Sequence, residues 1–249
     1  MLNSNKIVQW LVCFSALVIT QSSCQSTSSV NAFLKSYPCV AYHDSTIGTV
    51  SLQIPGRIQN EYFDTMDVSD EQKKSGIEEG KCYHDSENEN NGSGKLNKSG
   101  NYLSTFRMWE SPDISYTKFN NPDLPVDDTP YNLVKPENNS LYLGWIAPGE
   151  WINYTVTVKH SGYYTLSTLY TSKFGGHFSI SSNGVDITGP LELVSTFNAQ
   201  DTIDWRQAHH WNKASRLGKF YLHAGKQVLT LHVLDQPVIN FDYMDFEKY

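Results

Sequence analysis

The sequence predicts an all-β protein, built as a β-sandwich or jelly roll. Three observations predict this class. Short segments with apolar and polar residues in alternation recur along the chain, turn-forming residues separate them, and no segment has the apolar spacing of a long amphipathic helix. Many short strands joined by turns, with almost no helix, are typical of sandwiches and jelly rolls.

Residues 151–159 carry the clearest strand pattern. The even positions of this segment are Ile, Tyr, Val and Val, whereas the odd positions that follow Trp151 are Asn, Thr, Thr and Lys. This alternation is the period of a half-buried strand. Residues 160–162 (His-Ser-Gly) suit a turn, and residues 163–171 are again rich in aromatic and β-branched types. The two runs predict an antiparallel hairpin whose apolar face packs on a partner sheet.

The other strands are assigned in the same way. A first strand is predicted at 57–63 after the turn Ile54-Pro55-Gly56, and a last strand at 239–246. Asn183-Gly184 is a strong hairpin signal within 178–189. Residues 202–217 are assigned to a loop, and residues 219–222 and 228–234 to another hairpin around Ala224-Gly225-Lys226.

Composition restricts the classes of partner. The chain has 249 residues, a formal net charge of -7 and 13% aromatic residues, and no cluster of basic residues. Nucleic acids and anionic membrane surfaces attract positive charge, so neither is expected as a partner. The chain is long enough to bury a sizeable core, and we expect a monomer.

Residues 1–24 are expected to act as an export signal rather than as part of the fold. Lys6 precedes an apolar run that is too short for a stable membrane span, and small and polar residues follow it. Cys24 has the position of the lipidated first residue of a bacterial lipoprotein. Lipidation at Cys24 and plain cleavage nearby both stay open. Either predicts a protein that is secreted or anchored at the bacterial surface or in the periplasm.

Residues 25–53 are predicted to be a tether and lead-in, and residues 54–249 the folded module. Cys39 and Cys82 are the remaining thiols after the export signal. An even pair in an exported protein favours a disulfide, although two buried free thiols stay open as the alternative.

Five segments in order resemble carbohydrate-binding module family 6: IPGRIQNEYFD, KCYHDS, LGWIAPGEWINYTVTVKHSGYYTLSTLY, DWRQAHHW and AGKQVLTLHVLDQPVINFDYMDF. The resemblance covers about residues 54–249. It implies a jelly-roll sandwich of the galactose-binding-like type that binds a polysaccharide or oligosaccharide and carries out no chemistry itself. By motif position it implies a sugar ring held between Tyr83 and Trp205, with Asn240 bonding the hydroxyls. We expect Trp211 to be the core tryptophan, because it runs directly into the strand that follows.

The resemblance also implies a structural calcium ion near the first and last strands, held by Gln59, Glu61 and Asp242. Gln59 and Glu61 share one face of the predicted first strand, and oxygen-bearing side chains suit a hard cation. An amide in place of an acid at Gln59 predicts weaker affinity.

The sequence favours non-catalytic glycan binding beside polysaccharide-degrading enzymes, and two alternatives stay open. A small exported glycoside hydrolase would need two carboxylates at a controlled separation, with Glu61, Glu79 and Glu150 as the candidates. A surface adhesion protein that binds another protein would share the fold, the export signal and the tether.

Overall fold

The computed structural model describes residues 27–87, 89–92, 102–119 and 124–249, so the predicted export signal and Cys24 lie outside the described residues. None of the helices in these ranges is long and apolar enough to cross a membrane. The helices are α1 (Thr27–Ser36), α2 (Asp70–Lys74) and α3 (Tyr102–Thr105), with 3-10 turns at Asn60–Tyr62 and Trp205–His209. The strands are β1 (His43–Asp44), β2 (Gly48–Thr49), β3 (Leu52–Ile54), β4 (Gly56–Gln59), β5 (Tyr83–His84), β6 (Ile114–Tyr116), β7 (Leu141–Ile146), β8 (Trp151–Val158), β9 (Gly162–Ser172), β10 (Gly176–Ser182), β11 (Val185–Asp186), β12 (Leu191–Leu193), β13 (Asn212–Leu222), β14 (Gly225–Val233) and β15 (Ile239–Lys248).

Two packed sheets form the body of the described chain, which confirms the predicted all-β sandwich. Sheet 1 has the order β11-β10-β14-β8-β3, with β12 beside β10 and β5 beside β8. Sheet 2 has the order β13-β9-β15-β7-β6, with β4 beside β15. Apolar side chains of both sheets meet in one core. Phe178 of sheet 1 and Phe241 of sheet 2 contact edge to face, with ring centroids 5.5 Å apart.

The predicted hairpin of 151–159 with 163–171 is wrong in its pairing, although both strands exist. β8 pairs with β14 in sheet 1, whereas β9 pairs with β13 and β15 in sheet 2. The second predicted hairpin fails in the same way, because β13 lies in sheet 2 and β14 in sheet 1. Both turns carry the chain from one sheet to the other. This arrangement lets the apolar faces of consecutive strands meet across the core instead of side by side.

The predictions that rest on local sequence signals agree better with the structure. The hairpin at Asn183-Gly184 is confirmed, with both residues at positive φ (49° and 78°) and β10 paired with β11. The last strand is confirmed and extends to Lys248. The first predicted strand is shorter than expected, because β4 ends at Gln59 and a 3-10 turn follows. Part of the predicted loop 202–217 is the 3-10 turn at Trp205–His209 and the start of β13.

The free edge of β8 is covered by segments from earlier in the chain. β3 pairs with one end of the strand, β5 with the other, and Asp64 lies between them, where its carboxylate accepts from the Thr155 backbone N–H at 2.6 Å. Asn153 and Thr155, predicted to face solvent, are therefore buried. A disulfide joins Cys39 to Cys82 with 5.8 Å between the Cα atoms, which confirms the predicted bond and ties the N-terminal segment to this edge.

Candidate functional site

The loops at one end of the sandwich surround a cleft of about 460 Å³. At this end the β7–β8 loop connects the sheets, since Ile146 pairs with Ile239 in sheet 2 and Trp151 pairs with His232 in sheet 1. The cleft is lined by the segment after β5 (84–87 and 91), by 112–113, by 143–147 with Glu150, and by 237–238 at the start of β15. It is the kind of concave site, with apolar walls and a few polar groups, that small ligands occupy.

Trp145 supplies an aromatic wall of this cleft. Its side chain is partly exposed, and its backbone has the unusual positive φ of 53° for a non-glycine residue. The Trp145 backbone N–H donates to Asn240 Oδ1 at 2.9 Å, which fixes that conformation. Gly144 allows the close approach, because an added Cβ would lie 3.2 Å from Asn240 Oδ1 and 3.1 Å from the Tyr142 ring.

Four carboxyl groups line the cleft, those of Asp85, Glu87, Asp113 and Glu150, and Glu150 has a structural role. Glu150 accepts from the backbone N–H and hydroxyl of Ser86 and from the Ala147 N–H at 2.8 Å, so it joins two loops. Burial raises the pKa of Asp85 to about 8, and the carboxylates of Glu150 and Asp113 act in the same direction. A carboxyl with this pKa is largely protonated at neutral pH, and a protonated carboxyl both donates and accepts hydrogen bonds.

Asp113 completes the acidic side of the cleft. Burial raises its pKa to about 7, with the carboxylates of Glu87 and Glu150 adding to the effect. One oxygen of Asp113 accepts from the Asn91 backbone N–H. The cleft therefore combines an aromatic wall with groups that can donate as well as accept.

The predicted role of Tyr83 does not agree with the structure. Its ring has no exposed surface (0%) and packs edge to face against Phe63 at 5.6 Å between centroids, inside the core. A ring with no exposed face cannot stack on a ligand. The next residue, His84, lines the cleft instead. Successive side chains of a strand point to opposite faces, so a shift of one residue separates the core position from the cleft position.

Asn240 also differs from its predicted role, because its amide is used within the protein. The side chain is 2% exposed, and its Nδ2 donates to Thr171 Oγ1 at 2.9 Å and to the Ala208 carbonyl at 2.8 Å. Its Oδ1 is the acceptor of the Trp145 N–H. Asn240 therefore connects the wall of the cleft to the turn that carries Trp205, and every bond it makes here is to the protein.

Trp205 is the predicted site residue that is accessible. It is 49% exposed on its 3-10 turn, with its ring edge to face against His209 at 5.7 Å. Trp211 is fully buried, and its Nε1–H donates to Asp127 Oδ1 at 2.8 Å, which confirms the prediction that it is the core tryptophan. The structure thus brings Asn240 next to the Trp205 turn and to Trp145, and it places Tyr83 in the core.

The sequence reasoning did not identify Trp145, His84, Asp85 or Asp113 as cleft residues. A signal was present for Trp145, since an aromatic residue stands at the end of a strand directly before the turn-forming Ala147-Pro148-Gly149. Asp85 and Asp113 are far apart in sequence, in stretches without regular pattern, so nothing local indicated that they share a cleft.

The predicted metal ligands lie together at the junction of β4 and β15. Gln59 is the register partner of Tyr243, the neighbour of Asp242. Gln59 Oε1 and Glu61 Oε2 are buried without a hydrogen-bond partner. Burial raises the pKa of Glu61 well above its usual range, to which the charge of Asp242 contributes. Burial likewise raises the pKa of Asp242 to about 7. Buried oxygens without donors are the arrangement that a hard cation would satisfy, so these residues fit calcium.

Within the described ranges, no three His, Cys, Asp or Glu side chains cluster so that they could hold a metal. The three residues above are two acids and an amide.

Comparison with known proteins finds a family match in the second half of the chain. Residues 126–248 match the model described as carbohydrate binding module (family 6). No curated protein sequence matches the chain.

Several solved structures align with the chain over part of its length. The C-terminal family 6 module of the marine laminarinase LamC from Zobellia galactanivorans has 19% identity and a TM-score of 0.37, over 44% of this chain and 82% of that one. A β-1,3-glucan-binding family 6 module from Bacillus halodurans has 14% identity and a TM-score of 0.44, over 80% of this chain and 99% of that one. A family 43 arabinoxylan arabinofuranohydrolase from Bacillus subtilis has 12% identity and a TM-score of 0.45; 84% of this chain aligns with 33% of that enzyme. Residues 126–248, just under half of the chain, are thus similar to carbohydrate-binding module family 6.

Proposed function

We propose that this protein binds a polysaccharide or oligosaccharide in the cleft at the loop end of the sandwich, without cleaving it. The observation that carries the proposal is the partly exposed Trp145 ring in a cleft that also presents His84, Asp85 and Asp113. Sugar rings have apolar C–H faces that stack on aromatic rings, and their hydroxyl rims need groups that donate and accept. An aromatic wall opposite a polar rim supplies both.

Trp205 is the second aromatic residue in this proposal. Asn240 bonds both the Trp145 backbone and the Ala208 carbonyl, so one buried amide connects Trp145 to the turn that carries Trp205. A site with few stacked rings and exposed hydrogen bonds yields about 5–7 kcal/mol, which corresponds to a Kd on the order of 10–100 µM. Repeated engagement along a polymer adds avidity, which would serve polysaccharide-degrading enzymes acting nearby.

A glycan array probed with residues 25–249 tests the proposal. We expect signal on one class of neutral glycan, and loss of that signal in Trp145→Ala with an unchanged circular dichroism spectrum. Tyr163→Ala is the matched control, because Tyr163 is 48% exposed and lies at the start of β9, at the other end of the sandwich. No signal on any glycan would contradict the proposal and would favour the alternative of protein adhesion.

Glycoside hydrolysis is a second candidate because of one observation. Asp85 and Asp113 line the same cleft and both have raised pKa values, as a general acid requires. The carboxylates considered from the sequence bond to other protein groups: Glu79 contacts the His84 ring and the Asp85 N–H, and Glu150, which also lines the cleft, joins two loops. Release of reducing sugar from a glycan that binds, lost in Asp85→Asn, would establish hydrolysis; binding without release supports the binding module.

We further propose that Gln59, Glu61 and Asp242 hold a calcium ion with a structural role. The support is the pair of buried oxygens on Gln59 and Glu61 that have no protein donor. When bound, the ion would supply positive charge between two buried acids and connect the first and last strands of sheet 2. Isothermal titration of the chelated protein with calcium, compared with Glu61→Gln, tests this role.

The export signal at residues 1–24 supports a location outside the cytosol, either secreted or lipid-anchored through Cys24 at the bacterial surface or in the periplasm. Mass spectrometry of the mature N-terminus distinguishes these states. An acylated cysteine as first residue indicates the anchor, and an unmodified N-terminus near residue 24 indicates plain cleavage.

A further inference from the structure

The β14–β15 loop, residues 234–238, separates the cleft from a second groove of about 300 Å³. Pro237 and Val238 line the cleft, while Asp235 and Gln236, next to them in the chain, line the groove. The opposite wall of the groove is the β9–β10 turn, which carries Phe174, and the segment 192–195. The two depressions therefore lie on either side of one short loop.

The backbone of this loop adopts conformations that side chains disfavour. Gln236 has φ 60° and Val238 has φ 63°, both in the left-handed region. This region is an outlier for a β-branched residue such as valine, and holding a residue there costs free energy. Trp145, which also lines the cleft, has φ 53°. Residues with such unfavourable backbone angles persist only where the surrounding structure holds them, and they are concentrated at binding sites.

The surrounding structure does hold the loop. The Asp235 carboxylate accepts from the His177 backbone N–H at 2.8 Å and contacts the His177 ring Nδ1 at 2.8 Å, and the Leu234 N–H donates to the His177 carbonyl at 2.9 Å. Gly176 lets the strands approach, because an added Cβ would lie 3.0 Å from both Asp235 Oδ1 and the Gln236 Cβ. These contacts hold the β14–β15 loop against β10 and so connect two walls of the groove.

The chemistry of the groove matches that of the cleft. Phe174 is 56% exposed at its rim, and His177, Asp235 and Gln236 offer polar atoms beside that ring. Phe197, on the neighbouring loop, is also exposed. The loops are joined, since the Thr196 N–H donates to the Ser172 carbonyl at 2.8 Å. Exposed aromatic faces next to hydrogen-bonding groups suit sugar rings for the reason given for the cleft.

Charge restricts the class of sugar. The groove is lined by Glu192 and Asp235 and the cleft by Glu87 and Glu150. The whole chain carries a formal net charge of -7. Uronic or sulfated polysaccharides would meet charges of their own sign on both sides of the loop, which works against binding.

We propose that this groove is a second sugar subsite, which takes further residues of the same chain that occupies the cleft. The inference rests on the proposed function and deepens it: the ligand is an extended, neutral polysaccharide, bound over several sugar residues that cross the β14–β15 loop. A ligand short enough to fill the cleft alone gains nothing from the groove. A longer one gains a second stacking contact within the same molecule.

Affinity electrophoresis of residues 25–249 in gels that contain laminarin, xylan or hydroxyethylcellulose tests the inference. We expect retardation of the wild type by at least one polymer and about tenfold weaker affinity of Phe174→Ala for that polymer, a loss of about 1.4 kcal/mol. Titration with oligosaccharides of that polymer completes the test: wild-type affinity rises from the trisaccharide to the hexasaccharide, whereas the affinity of Phe174→Ala stays constant. Phe174→Trp keeps an aromatic face and should retain the gain, and Tyr163→Ala should behave as the wild type.

Each of the other possible outcomes contradicts the inference. If the wild type is retarded and Phe174→Ala matches it within about twofold, the groove is not a subsite. If Phe174→Ala loses trisaccharide and polymer affinity equally, the groove is not an extension of the cleft, and the inference again fails. If no polymer retards the wild type, the proposed function fails together with the inference.

Discussion

Asn240→Ala is expected to weaken both folding and ligand binding, because Asn240 positions the site without touching the ligand. Its amide holds three groups: the Trp145 N–H, the Thr171 hydroxyl and the Ala208 carbonyl. Direct contact with a sugar, as the family resemblance implies, would give a different result. Removal of a contact that exists only in the complex lowers affinity and leaves the free energy of unfolding unchanged.

The expected loss of stability follows from these three bonds. A hydrogen bond between protein groups contributes about 1 kcal/mol net, and a buried donor left without a partner costs about 1–3 kcal/mol. The Ala208 carbonyl keeps its bond from Thr171 Oγ1 at 2.7 Å, so only the Trp145 N–H is orphaned. We expect the free energy of unfolding to fall by about 2–4 kcal/mol, and affinity to fall about tenfold because Trp145 is no longer preorganised.

Urea unfolding and isothermal titration with the glycan selected on the array measure the two quantities. Asn153→Ala is the matched control: Asn153 is also a buried amide, which donates to the Lys81 carbonyl and accepts from the Thr230 hydroxyl on sheet 1. It should lose a similar amount of stability and keep its affinity. A tenfold loss of affinity in Asn240→Ala with stability unchanged to within about 0.5 kcal/mol would refute the positioning role.

Three further predictions concern stability. Replacing Cys39 and Cys82 by alanine opens a link across 43 residues and should lower the free energy of unfolding by about 4 kcal/mol in urea titrations, and the variant should be insensitive to reductant. Calcium at about 100 times its Kd should add about 2.7 kcal/mol and raise the melting temperature by about 5–10 °C; a chelator should reverse the shift and Glu61→Gln should abolish it. Because the pKa of Asp85 is raised to about 8 in the folded state, its contribution to stability is complete below about pH 4 and is lost as the pH rises through about 8. The melting temperature of the wild type should therefore fall between pH 5 and pH 9 more than that of Asp85→Asn, and equal slopes would contradict this assignment.

Much of the fold could be predicted from the sequence because it depends on local periodicity. The alternation in residues 151–159 marks which side chains face the core, and Ile152, Tyr154, Val156 and Val158 are buried accordingly. The Asn183-Gly184 turn is local for the same reason, since both residues must tolerate positive φ. The pairing of β8 and β9 could not be predicted in this way. Two strands joined by a short turn satisfy the same alternation whether they pair side by side or face each other across the core.

The site was less predictable, since its residues depend on contacts between distant segments. The family resemblance pointed to Tyr83, but Tyr83 and His84 are neighbours, and only the pairing of β5 with β8 decides which of them faces the core. Trp145 becomes the cleft wall through Asn240, 95 residues further along the chain.

The sequence by itself determined the all-β class, the positions of most strands, the buried Trp211 and the resemblance to carbohydrate-binding module family 6. It did so because side-chain alternation, turn chemistry and motif order can all be read along the chain. The tertiary structure alone decided which strands share a sheet, which aromatic faces remain exposed, and that Asp85, Asp113 and Trp145 meet in one cleft. These properties arise from burial between segments far apart in sequence, which no local pattern records.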